Sequence, residues 1–399
     1  MPLRPMPSRG VVVSPVLRKA ALVAACLAAL APATASAEAG ALPAAPDDRT
    51  LQSEIDAFVR SEGGPPGVIA VLRDGGKSRV LRAGVADVRT GREPRPHDHM
   101  RIASVAKAFS GAVALTLVNS GDLALDDTLR ERLPRLPRAW GSVTLRQLLN
   151  HTSGLPDYTE APSFRDAVTA DPRRHFDSRR LLDHVVDQPL NFKPGSRYRY
   201  SNSDNIAVAL MAEAVTGTTY ERLLAELVYR PLGLRDTTLP QGYRLPEPYL
   251  HGYDVSGPGE PEDISEVLSA SGVWASGGIV STPADLSRFI RGYAGGELYG
   301  GKVVREQRRW VKGASEPAGP GRNTAGLGIF RYATRCGAVL GHTGNFPGYT
   351  QLAAATPDGR RSLTFSVTTQ INKTLAPEQL KRLRAIEEDF VCAVLKKGR

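Results

Sequence analysis

Beyond its first thirty residues, the 399-residue sequence has no apolar run long enough to cross a membrane, which takes about 20 residues as a helix. Its arginines are dispersed and do not cluster with aromatics, so nothing specific points to nucleic acid. It has no internal repeat. It has only three cysteines, Cys26, Cys336 and Cys392, and their spacing matches no metal-ligand pattern. No cofactor and no metal are expected.

What is present begins with an export signal. Arg4, Arg9, Arg18 and Lys19 form a basic leader, Ala20 to Leu30 is an apolar run, and Ala35-Ser36-Ala37 offers a small-x-small cleavage pattern. Residues 1–37 read as a signal peptide, leaving 399 − 37 = 362 residues in an extracytoplasmic or secreted protein. Val23-Ala24-Ala25-Cys26 also resembles a lipoprotein cleavage box, but cutting there leaves a very short apolar region, so lipid anchoring through Cys26 is the less favoured reading. The mature chain keeps Cys336 and Cys392, and two cysteines in an oxidising compartment suggest one structural disulfide. The formal charge of +10 falls to 10 − 4 = +6 without the leader's four basic residues. That leaves room for weak attraction to anionic cell-wall polymers.

Residues 38–49, rich in Ala and Pro, read as a disordered linker before a domain over 50–396. Leu51 to Arg60 has the spacing of a short helix. Val68 to Arg73 and Arg79 to Val88 are strand-like around Asp74-Gly75-Gly76, a hairpin signal. Val105, Phe109, Ala112, Val113 and Leu117 keep a helical period that stops at Gly121. From about 121 to 270 come helical pieces broken by Pro and Gly, including Arg179 to Val186 and Ile206 to Val215. Strands return at Ala338 to His342, Tyr349 to Ala355 and Ser362 to Thr368, and an amphipathic helix closes the chain. Strands at both ends with helices between them predict an α+β fold. Its antiparallel sheet is built from both chain ends (about 50–120 and 271–396) and flanked by helices, and the inserted lobe (about 121–270) is mostly helical. A cleft between two such lobes is a natural ligand site.

Ser104-Val105-Ala106-Lys107 opens the apolar helix pattern. Positions i and i+3 share a helix face, so the Lys107 amine meets the Ser104 hydroxyl, which needs a neighbouring base to become a nucleophile. Taken alone the pair is commonplace. Two further groups change its weight: Tyr200-Ser201-Asn202, after a Lys193-Pro194-Gly195 turn, and His342-Thr343-Gly344 at a strand end.

In this order the three motifs resemble the serine β-lactamase and penicillin-binding protein superfamily, and within it the class C-like D-alanyl-D-alanine carboxypeptidases. The resemblance runs from about Asp56 to Cys392. It includes Leu148-Leu149-Asn150-His151-Thr152-Ser153-Gly154-Leu155, Pro231-Leu232-Gly233-Leu234 and Gly277-Gly278-Ile279-Val280-Ser281-Thr282. It implies a β-lactamase/transpeptidase-like fold and an acyl-serine on Ser104, with cell-wall peptides ending in D-Ala-D-Ala as substrates and β-lactams as acylating inhibitors. Lys107 and Tyr200 are the candidates to take the serine proton, with Tyr200 favoured as the base in acylation and the acid toward the leaving amine and Lys107 assisting electrostatically. A phenol titrates near pH ~10, so Tyr200 acts as the base only if Lys107 and a protonated His342 favour its phenolate. Asn202 is expected to bond the substrate amide and Thr343, Gly344 and Asn345 to line its backbone, with the oxyanion at the N–H groups of Ser104 and Asn345.

Two departures bear on the substrate. Relatives that hold a terminal carboxylate carry Thr where Asn345 stands and an arginine where Phe330 stands; Arg331 would point to the other face of a strand. Esters, β-lactams or D-amino-acid amides are then rival substrates, and a non-catalytic penicillin-binding sensor is a further alternative. Ser203-Asp204-Asn205 imitates a second motif of class A β-lactamases, but the tyrosine motif agrees better with its surroundings. His97-Asp98-His99 reads as a polar loop, His151 as a structural hydrogen-bonding residue, Trp274 as a buried aromatic, and Lys373-Thr374 as lying beyond the last strand.

Overall fold

A computed structural model describes residues 45–257 and 259–396. The expected signal peptide and Cys26 lie outside the described residues.

The first helix, α1 (Asp48–Val59), starts where the Asp47 side chain accepts the Thr50 N–H. The linker expected up to residue 49 therefore gives way two residues earlier, because Asp47 is an N-cap. Strands β1 (Gly67–Asp74) and β2 (Lys77–Gly84) form the expected hairpin. Residues 85–88, expected to continue β2, instead leave the sheet. The later strands are β3 (Val311–Lys312), β4 (Arg322–Ala325), β5 (Phe330–Thr334), β6 (Gly337–Phe346), β7 (Tyr349–Ala355) and β8 (Arg361–Val367). They form one sheet in the order β2-β1-β8-β7-β6-β5-β4-β3. The chain ends meet where β1 pairs antiparallel with β8, Val68 opposite Val367. The α+β fold with a sheet drawn from both ends is thus as the sequence predicted.

Both faces of this sheet are covered, which is why β7 is buried at every residue. On one face α1 and the C-terminal helix α5 (Pro377–Leu395) pack Leu51, Ile55, Phe58, Leu383, Ile386 and Phe390. Cys392 of α5 is joined to Cys336 in the β5–β6 turn. On the other face lie α4 (Pro283–Gly295) and, beyond it, α2 (Ala106–Ser120) and α3 (Asn202–Thr216).

Helix α2 is apolar on every side, the mark of a central helix. Its residues from Ala106 to Leu115 are all buried, and Phe109 stacks on Phe289 of α4 with ring centroids 3.5 Å apart. Gly111 lets it approach both α4 and the β4–β5 loop, because a Cβ there would stand 2.5 Å from the Tyr293 hydroxyl and 3.0 Å from the Gly328 Cα. The segment expected as a helix over Arg179–Val186 is a 3-10 stretch, Ser178–His184.

Candidate active site

Helices α2 and α3 run side by side, and two hydrogen bonds one turn apart set their register. Lys107 Nζ donates to Asn202 Oδ1 at 2.8 Å, and Asn205 Nδ2 donates to Ser110 Oγ at 2.6 Å. Asn205, which the imitation motif would have placed in a second catalytic element, is thereby a packing residue. So is Ser203, whose hydroxyl donates to the Pro156 carbonyl.

Ser104 is not inside α2 but in the single 3-10 turn Ala103–Val105 that precedes it. Ala103 takes φ 51°, a left-handed conformation that costs a residue with a Cβ about 1 kcal/mol or more. The turn is pressed against β6: a Cβ on Gly344 would lie 2.4 Å from the Ile102 carbonyl oxygen and 3.3 Å from the Ser104 nitrogen. The glycine of His342-Thr343-Gly344 is therefore required by the close approach of the serine turn.

Lys107 is 1% exposed, and its Nζ reaches three oxygens: Asn202 Oδ1 at 2.8 Å, the Ser276 carbonyl at 2.7 Å and Ser104 Oγ at 3.1 Å. Burial pushes its pKa down to about 7, with the Asp157 carboxylate as the main opposing influence. The first two oxygens only accept hydrogen bonds, while a serine hydroxyl both donates and accepts. As a neutral amine, Lys107 gives its two N–H groups to those acceptors and turns its lone pair to Ser104. The geometry suits a base.

Tyr200 lies with its ring 5.0 Å from Lys107 Nζ. Its hydroxyl oxygen is buried and makes no hydrogen bond in this geometry. Burial drives its pKa well above 10, opposed by the neighbouring Ser104 hydroxyl. His342 is completely buried, and burial lowers its pKa to about 3. Its Nδ1 is 2.6 Å from the Thr343 carbonyl oxygen, so this nitrogen carries the hydrogen, and Nε2 is buried without a partner. The condition set for Tyr200 as the acylation base, a charged His342 that favours its phenolate, is therefore not met: an imidazolium has no solvent or counter-ion there to sustain it, and burial disfavours the phenolate itself. Phe330 fills the space behind, its ring 5.0 Å from His342.

The other expected substrate contacts are partly engaged elsewhere. Asn202 Nδ2 donates to Asp157 Oδ2 at 3.0 Å and Thr159 Oγ1 at 3.2 Å, leaving only Oδ1, beside Lys107, open to a ligand. Thr343 Oγ1 donates to the Pro317 carbonyl at 2.6 Å. Asn345 is a hub: its Nδ2 donates to the Ile371 carbonyl at 2.8 Å and Thr350 Oγ1 at 3.1 Å, and its Oδ1 accepts from Gln370 and Asn372. The side chains of Thr343 and Asn345 organise the walls of the site.

Those walls enclose a cleft of about 1470 Å³ that Ser104, Tyr200 and Asn202 line. Trp274 does not: it is fully buried and donates from Nε1 to Glu221. Asp98 binds Arg92, as suits a polar loop. Lys373-Thr374 does lie past the last strand, yet both residues line the cleft.

One feature escaped the sequence: Asp157 Oδ2 accepts both N–H groups of Asn202, backbone and side chain. Asp157 stands two residues after the family spacer that ends at Leu155, the one local signal available. His151 is the structural hydrogen-bonding residue expected: its Nδ1 is 2.8 Å from Asp204 Oδ2, it takes φ 57°, and its ring lies 4.5 Å from that of Tyr200.

Comparison with known proteins agrees with this geometry. The fold is β-lactamase/transpeptidase-like: a D-stereospecific amidohydrolase from Streptomyces sp. superposes with a TM-score of 0.73 at 30% identity, over 85% of this chain and 98% of that one. Residues 48–388 match the sequence profile of the family described as Beta-lactamase, and the chain belongs to that family, within the serine β-lactamase/transpeptidase superfamily. It is 26% identical to a penicillin-binding protein of Bacillus subtilis over 71% of this chain and 63% of that protein. It is 30% identical to the D-alanyl-D-alanine-carboxypeptidase/endopeptidase AmpH of Escherichia coli over 59% of each. The chain thus spans 63% and 59% of the length of these two relatives.

Proposed function

We propose that the chain is an exported serine hydrolase that removes the terminal D-alanine from cell-wall peptides through an acyl-Ser104 intermediate, and that β-lactams acylate the same serine. The observation that carries this reading is the Lys107 amine, depressed to about 7 and 3.1 Å from Ser104 Oγ. Ser104 Oγ bonds to the substrate carbonyl carbon while its proton passes to Lys107 Nζ. The carbonyl oxygen takes the negative charge between the N–H groups of Ser104 and Asn345. As the C–N bond breaks, the neutral Tyr200 phenol gives its proton to the leaving amine and recovers one from Lys107. Water then enters by the same route and releases the acid.

Removing one oxyanion donor costs about 3 kcal/mol in typical hydrolases. His342 acts by shape, as a neutral ring behind Tyr200. The net positive charge supports weak attraction to anionic cell-wall polymers. A second reading, hydrolysis of D-amino-acid amides or esters, is favoured by Phe330, which puts no cation where a terminal carboxylate would rest, and by the likeness to the amidohydrolase.

Incubation with a fluorescent penicillin followed by intact-protein mass spectrometry tests the proposal. A single adduct that disappears in Ser104→Ala is expected, together with D-alanine release from a diacyl tripeptide. Ester turnover that depends on Ser104, without adduct or D-alanine release, moves the assignment to the second reading.

A further inference from the structure

The missing cation at Phe330 raises the question of what else in the cleft meets a negative group. Five cationic side chains line it: Arg197, Arg199, Lys312, Lys373 and Arg384. Arg199 is paired with Glu160 at 2.8 Å. Arg384 spends its guanidinium on the carbonyls of Gly319 and Gly321. Arg197 lies over the Phe192 ring at 5.6 Å. Lys312 sits on the two-residue strand β3, at the edge of the sheet.

Lys373 differs in how its backbone is held. On one side, Ile371 donates its N–H to Thr350 Oγ1 at 2.8 Å and accepts from Asn345 Nδ2 at 2.8 Å. Asn372 donates to Asn345 Oδ1 at 3.0 Å and, with its own Oδ1, accepts the N–H groups of Thr374 and Leu375, each at 2.9 Å. The lysine thus stands on a tight turn fixed to the residue that directly follows His342-Thr343-Gly344. Its ammonium makes no ion pair among the described residues. A fixed backbone leaves only the side-chain rotamers to be ordered on binding.

We propose that Lys373, presented by the Asn345 hub, receives the carboxylate of the leaving D-amino acid. This rests on the carboxypeptidase reading and adds to it the group that meets the free C-terminus, in place of the cation missing at Phe330. Asn345, where relatives carry Thr, then serves carboxylate recognition indirectly, as the anchor of the lysine turn. Glu316, on the same cleft and without a hydrogen bond or ion pair among the described residues, opposes the carboxylate and limits its affinity.

The test compares kcat/KM for a diacyl-L-Lys-D-Ala-D-Ala peptide and its C-terminal amide, in wild type, Lys373→Met and Lys312→Met. The expected result is a roughly tenfold fall in the acid-over-amide preference in Lys373→Met, the value of one charge-assisted hydrogen bond. Lys312→Met should keep the wild-type preference, and Glu316→Gln should raise it. An unchanged preference in Lys373→Met, or a loss carried by Lys312→Met, overturns the proposal. Should the wild type release no D-alanine, the carboxypeptidase reading fails by itself. The lysine is then judged by acylation of Ser104 with benzylpenicillin and its methyl ester: a preference for the free acid that Lys373→Met loses supports the assignment, and any other result overturns it.

Discussion

One oxygen of the Asp157 carboxylate holds Asn202 twice, accepting its backbone N–H at 2.8 Å and its side-chain amide at 3.0 Å. That grip turns Asn202 Oδ1 toward Lys107, and the same carboxylate supports the charged form of the lysine. Asp157→Ala should lower kcat/KM on an ester about 10- to 100-fold, the value of one or two hydrogen bonds to a charged group. It should also move the acid limb of the pH profile to lower pH, since removing a nearby anion depresses the lysine further. A fall in rate with an unmoved limb would leave Asp157 a purely structural role.

The pH dependence follows from Lys107 itself. In the proposed mechanism the neutral amine is the active form, so kcat/KM should rise with pH through about 7. Stability responds in the same direction. The folded pKa is depressed from 10.5, so the cost of burying the ammonium is absent above 10.5 and reaches its full value as pH falls through about 7. Denaturant midpoints of wild type and Lys107→Met, measured from pH 6 to 10, should converge toward the alkaline end.

Gly344→Ala tests the contact between β6 and the serine turn. A Cβ placed 2.4 Å from the Ile102 carbonyl must displace backbone on one side or the other. Overpacking of this kind costs about 1–3 kcal/mol, and the shift falls on Ser104. Activity should drop by more than the small change in Tm accounts for; full activity with a lowered Tm would separate the turn from catalysis.

The Cys336–Cys392 bond, spanning 56 residues, ties the β5–β6 turn to the last turns of α5, whose first half lines the cleft with Leu380 and Arg384. Replacing both cysteines by serine should cost about 2–4 kcal/mol of stability. The rate at 25 °C should stay within a factor of about two, since neither cysteine lines the cleft. A large loss of rate at 25 °C would mean that the end of α5 is coupled to the cleft through the helix.

Export is checked at the N-terminus. Protein recovered outside the cytoplasm should begin at Glu38, with no lipid on Cys26. A lipid-modified chain beginning at Cys26 would place it on a membrane surface instead.

Much of the fold was legible because its signals are local. Strand-like runs bounded by turn signals marked β1, β7 and β8, and the Val105–Leu117 apolar pattern marked α2 up to its left-handed Gly121 cap. Ser104, Lys107, Tyr200 and Asn202 could be named because each sits in a short motif with a recognisable turn or helix beside it. Asp157 and the Ser276 carbonyl could not. They reach Asn202 and Lys107 across 45 and 169 positions of chain, and a carbonyl has no sequence signature at all. The roles expected for Thr343 and Asn345 changed for a related reason. Their side chains meet Pro317 and the 370–372 segment, partners no motif encodes.

The sequence alone determined which elements form, where both ends of the sheet lie and which side chains are candidates for the chemistry, since these depend on neighbours within a few residues. Only the tertiary structure decided the protonation of those side chains. Burial holds Lys107 near neutrality, keeps His342 uncharged and raises Tyr200, because the energy of a charge depends on how much water the rest of the fold removes from around it.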